Sequence, residues 1–118
     1  MPSLSESAAA VMPSIQEKLA TISGPFNVLA KVVVEQGHAD EVEALLKEVA
    51  ELARSDKEPE TLTYRISRGI KADDHTFIVY EEYTGPVGLG VHTSSPQFQK
   101  LAAYPHVVKA DLEVYKEF

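Results

Sequence analysis

The chain has 118 residues, 44% of them hydrophobic and 25% charged, proportions that fit one soluble globular domain rather than two. Eighteen Asp and Glu against eleven Lys and Arg give a net charge of -7, which repels phosphate backbones and anionic lipid and weighs against nucleic-acid and membrane-surface roles. With no cysteine, disulfides, thiol catalysis and thiolate-bound metal are excluded.

No apolar run reaches the ~20 residues of a membrane span. Residues 1–24 read as an N-terminal extension. Its first cation is Lys18, so it makes a poor signal peptide, and a cytoplasmic location is expected. Ala8–Ala9–Ala10–Val11–Met12, then Ile15 and Leu19, predict a short helix starting near Met12, with Pro13 in its first turn. Ser23–Gly24–Pro25 punctuates the chain, and the domain occupies 25–118.

Phe26 to Val34 is short, apolar and β-branched, as a buried strand would be. After Gln36–Gly37 the period changes. Val42, Leu45, Leu46, Val49, Leu52 and Ala53 fall at helical spacing, with Asp40 and Glu41 near the positive end of the dipole and Arg54 near the negative end. Ser55 to Pro59 reads as a charged loop, and the acidic run Asp56 to Glu60 as a solvated one. Thr61 to Arg68 alternates, with Leu62, Tyr64 and Ile66 on one face. Gly69 to Asp74 turns into Thr76–Tyr83, apolar on both faces at its start. Gly85, Pro86, Gly88 and Gly90 predict a frayed turn or flap, because each interior glycine costs a helix about 1 kcal/mol. Ser94–Ser95–Pro96 has the chemistry of a cap and introduces a short helix over Gln97–Tyr104. His106 to Tyr115 alternates again as the last strand, with Val108, Ala110, Leu112 and Val114 opposing Lys109, Asp111 and Glu113.

The order β-α-β-β-α-β is the ferredoxin-like α+β plan, an antiparallel four-stranded sheet with helices on one face. Its other face is left bare, and a second copy is the natural cover, so a homodimer is expected.

Phe26-Asn-Val-Leu-Ala-Lys-Val-Val-Val-Glu-Gln-Gly37, Leu62-Thr-Tyr-Arg65, Val79-Tyr-Glu-Glu-Tyr83 and His92-Thr-Ser-Ser-Pro-Gln-Phe98 resemble the antibiotic biosynthesis monooxygenase family of dimeric α+β barrels. The resemblance spans about Phe26 to Tyr115. It implies sheets paired into a barrel and a substrate cavity between sheet and helices. Members include cofactor-free oxygenases of quinols and anthrones, haem-degrading enzymes, and proteins that isomerise or cyclise. The haem-degrading set of Asn, Trp and His falls on Ala30, His92 and Ala102, and the chain has no tryptophan, which disfavours that branch.

Among chemistry-bearing residues His92 comes first, since an imidazole exchanges protons near neutrality; the plainer reading is a histidine that packs a turn. Glu81 shares strand parity with Phe77, Val79 and Tyr83, so its carboxylate faces apolar surroundings and needs a partner. That partner is either His92 or, structurally, Arg65, Arg68 or a loop lysine. Tyr64, with Leu62 and Ile66, is the third catalytic candidate. Asn27, Tyr80, Tyr83 and Phe98 are candidate substrate-binding residues, against the reading of tyrosines as plain core. His38, His75 and His106 carry less weight, and no metal site or cofactor is expected: metal-ligand spacings, phosphate loops and Gly-x-Ser-x-Gly are lacking.

The leading functional expectation is a homodimeric, cofactor-independent monooxygenase acting with dioxygen on a small aromatic, quinol or polyketide-type substrate. His92 would serve as base, Glu81 as its orienter, and Tyr64 and Asn27 as oxygen-positioning groups. The alternatives are a non-oxidative lyase, isomerase or polyketide cyclase using the same residues, and a non-enzymatic ligand-binding protein.

Overall fold

The computed structural model describes residues 20–71 and 74–118. The helix expected near Met12 lies outside the described residues. The chain runs through β1 (Phe26–Val34), α1 (Ala39–Ala53), β2 (Thr61–Arg68), β3 (Thr76–Tyr83), α2 (Pro86–Thr93), α3 (Pro96–Ala102) and β4 (Val107–Lys116). The strands form one sheet in the order β2-β3-β1-β4, with all three neighbouring pairs antiparallel. This is the ferredoxin-like α+β fold expected from the alternation of periods.

Strand alternation decides what each face holds. Phe26, Val28, Ala30, Val32 and Val34 of β1, with Phe77, Val79, Glu81 and Tyr83 of β3, are buried toward the helices. Val42, Leu46, Val49, Ala50 and Ala53 of α1 complete the main core with Leu101 and Tyr104. Burying each of the larger aliphatic side chains contributes about 1.5–3 kcal/mol. A second cluster of Phe26, Val28, Tyr83 and Val114 closes the other end of the sheet, where the Phe26 and Tyr83 rings stack at 5.4 Å. Arg54 caps α1 and donates from Nε to the Tyr64 carbonyl at 3.0 Å, tying the helix end to β2.

Three local expectations change. Leu62 does not share the buried face with Tyr64: the register slips between Thr61 and Thr63, and Leu62 is left exposed. A slip between Val33 and Val34 likewise turns Val108 outward. The glycine-containing segment is the helix α2 rather than a frayed turn. Pro86 sits in its first turn, and Gly88 packs so closely that a Cβ there would meet Glu60 Cβ at 3.0 Å and Tyr83 Cδ1 at 3.1 Å. Tertiary contact outweighs the low helix propensity of glycine.

Candidate active site

The β2–β3 end of the sheet is roofed by the loop 54–60 and by α2. Thr84 N–H donates to the Glu60 carbonyl at 3.0 Å, and Gly88 rests against the same residue. This packing drives His92, in the last turn of α2, between the two apolar clusters, where it is 1% exposed. Its ring lies 5.1 Å from that of Tyr64, 6.1 Å from that of Tyr83 and 5.4 Å from that of Phe98, the last edge-on.

A histidine enclosed this way must find polar partners, and two carboxylates supply them. Nδ1 donates to Glu58 Oε1 at 2.9 Å; Nε2 faces Glu81 Oε1 at 3.8 Å, beyond a hydrogen bond. Glu58 and Glu81 are themselves buried. Thr61 Oγ1 donates to Glu58 Oε1 at 3.1 Å, while Glu58 Oε2 is buried with no hydrogen-bond partner among the described residues. The Tyr83 hydroxyl donates to Glu81 Oε1. A carboxylate accepting from Nδ1–H leaves the lone pair on Nε2, the tautomer a base requires.

Burial raises the Glu81 pKa above the ordinary carboxylate range, and His92 and the Tyr83 hydroxyl only partly offset it. Burial also pushes Tyr64 and Tyr83 well up, reinforced by the two carboxylates, so both stay phenolic donors. The site thus sets a carboxyl that holds its proton more tightly than usual beside the Nε2 edge of the ring, shielded from water.

Of the residues singled out in the sequence, His92, Glu81, Tyr64, Tyr83 and Phe98 converge here. Asn27 and Tyr80 do not. They lie on the opposite face of the sheet, Asn27 in register with Glu82 and Tyr115, because their strand parity is the reverse of Val28 and Glu81. The cap of α3 is Ser95, which accepts from Phe98 N–H at 3.1 Å and donates to the His92 carbonyl at 2.9 Å. Glu58, the closest partner of His92, was hidden in the acidic run 56–60. Nothing in the spacing of that run marks it; the loop is held in place by the hydrogen bonds of Thr84 to Glu60 and of Thr61 N–H to the Glu58 carbonyl.

Outside the ring, an open cleft of about 700 Å³ is lined by Leu52, Lys57, Glu58, Val87, Val91 and Ser95 among others. Glu58 thus links the cleft to the enclosed histidine.

No curated protein matches the sequence. Among solved structures, a protein of Caulobacter crescentus named provisionally as an antibiotic biosynthesis monooxygenase is 20% identical, with 87% of this chain and 98% of that one covered at a TM-score of 0.73. PA3566 of Pseudomonas aeruginosa is 18% identical over 81% and 96% of the two chains, TM-score 0.71. Rv0793 of Mycobacterium tuberculosis is 18% identical over 80% and 95%, TM-score 0.68. At these identities the likeness is one of fold. The antibiotic biosynthesis monooxygenase family model matches residues 25–104, more than half of the sequence, and to that family the chain belongs.

Proposed function

We propose that the protein is a cofactor-independent monooxygenase of small aromatic, quinol or polyketide-type substrates, working as a homodimer. The observation that carries this reading is the enclosed His92, its Nδ1 fixed by Glu58 at 2.9 Å. A substrate bearing an acidic C–H beside a phenol needs little more than an apolar slot, one base and donors for the developing oxyanion. His92 Nε2 takes the proton; Glu58 holds the ring in orientation and stabilises the imidazolium that forms. Tyr64, kept phenolic, donates to the substrate oxygen. The carbanion so formed reduces dioxygen directly: the activated CH₂ becomes a carbonyl, one oxygen atom enters the product and the other leaves as water. The cleft abuts the closed site at Glu58, and this reading requires the packing around His92 to open before substrate meets Nε2.

The test is oxygen uptake with an anthrone and with a quinol. Turnover is expected with at least one of them, reduced 100-fold or more in His92→Gln, as the loss of a general base predicts. Glu58→Gln is expected to lower kcat with little change in KM. No uptake with either substrate removes oxygenation. Normal turnover by His92→Gln removes the base.

A further inference from the structure

At the other end of the sheet, about 20 Å away along β1 at about 3.3 Å per residue, a second group of titratable side chains has no part in the chemistry above. Glu35 follows the last residue of β1, His38 precedes α1, and His106 precedes β4. One ligand atom from each lies within 4.8 Å of the others, and all three side chains are half-exposed, so an ion reaches them from solvent. The His38 and His106 rings are stacked at 3.9 Å, and His106 Nδ1 lies 2.8 Å from Glu35 Oε2.

We propose that Glu35, His38 and His106 bind a divalent first-row transition ion of the zinc class. Two imidazoles and one carboxylate select such ions over magnesium or calcium, which take all-oxygen sets. Metal–ligand bonds of about 2.0–2.1 Å place tetrahedral ligand atoms roughly 3.3 Å apart, so closing the site requires side-chain movements of roughly 1 Å.

The surroundings are those that ligating histidines need. The Tyr104 hydroxyl donates to Glu41 Oε2 at 2.7 Å, so its oxygen is free to accept from His38 Nδ1–H at 3.3 Å, the tautomer that keeps a lone pair on Nε2. The Glu35 N–H donates to the His106 carbonyl at 2.8 Å, which fixes two of the three ligand-bearing segments against each other. His106 has φ 71°, a left-handed conformation that side-chain-bearing residues seldom adopt and that tends to mark functional positions. Sequence spacing could not reveal the set, because 35 and 38 meet 106 only through β1–β4 pairing. The bound ion would clamp the ends of β1 and β4 to the start of α1.

The experiment is calorimetric titration of the untagged full chain with zinc and, separately, magnesium. One zinc per chain and no magnesium binding is expected, with affinity falling about tenfold or more in His38→Ala and in His106→Ala, as loss of a ligand dictates. Because either variant could misfold, ring ¹⁵N spectra of the wild type provide a second readout. Zinc should shift the His38 and His106 resonances and leave those of His92 unmoved. Absence of zinc binding, undiminished affinity in both variants, or ring shifts at His75 or His92 in place of 38 and 106 overturns the site.

Discussion

Glu81 shows how a single residue can carry an instability that is useful to a proton-transfer site. Its carboxyl is buried between Tyr83 and His92, and burial lifts its pKa above the ordinary 4.5. An acid that binds its proton more tightly when folded gives stability that is full below the unfolded value and is lost as pH rises through the folded one. Above that range the folded chain must either ionise Glu81 in an apolar pocket or unfold to release the proton. Glu81→Gln keeps an oxygen to accept from Tyr83 and removes the titration. The urea midpoint of the wild type is therefore expected to fall, relative to that of Glu81→Gln, as pH rises from the carboxylate range toward neutrality. Parallel midpoints across that interval would mean that Glu81 has a partner strong enough to keep it charged.

The same scale explains what a reader of the sequence could and could not see. The parity of β3 alone put Glu81 on the buried face, so its need for a partner was legible. Glu58 was not: among the acidic residues of 56–60, only the path of the loop beneath α2 separates the one that enters the core from those that stay in water. Asn27 and Tyr80 were misplaced for the opposite reason. Their residue types suit a polar site, but alternation in β1 and β3 already assigned them to the other face.

At the scale of the element, α2 sets the position of His92, and its two interior glycines do different things. Gly88 makes close approach possible: a methyl group there would meet Glu60 Cβ at 3.0 Å and the Glu60 carbonyl at 3.3 Å. A Cβ at Gly90 meets nothing within 4 Å. Gly90→Ala is thus expected to stabilise the protein by about 0.5–1 kcal/mol, the helix-propensity difference. Gly88→Ala is expected to destabilise it, since the nearest atoms are Glu60 Cβ, the packed Tyr83 ring and the Glu60 carbonyl, none of them the free end of a side chain, and to push His92 out of register with Glu58. Chemical denaturation of the two variants checks both signs. Strands β1, β2 and β3 and helix α1 were legible because their periodicity and their packing agree. In α2 they disagree, since glycine argues against helix and contact with Glu60 and Tyr83 argues for it. The register slips at Leu62 and Val108 leave no mark on composition, because a bulge depends on how two strands pair.

At the scale of the whole molecule, the unequal faces of the sheet are the outstanding fact. The helices cover one, and among the described residues nothing covers the other. There Leu29, Ile78 and Tyr115 are 37%, 36% and 48% exposed, with Lys31, Arg65, Glu82 and Asp111 on the same face. Uncovered apolar side chains on a sheet face mark an interface, and a face built from one sheet pairs most simply with its own copy about a twofold axis. Leu29 and Ile78 stand on the adjacent strands β1 and β3, with Ile78 in register with Lys31, so both belong to the middle of that face. Sedimentation equilibrium is expected to give twice the chain mass at micromolar concentration. Leu29→Asp combined with Ile78→Asp is expected to give the monomer, because four carboxylates would be buried across the twofold without partners, at roughly several kcal/mol each. Neither residue contributes to the helix-side core, so the variant monomer should keep its far-ultraviolet circular dichroism. A wild-type monomer, or a double variant that still sediments as a dimer, would place the contact elsewhere and leave this face without a cover.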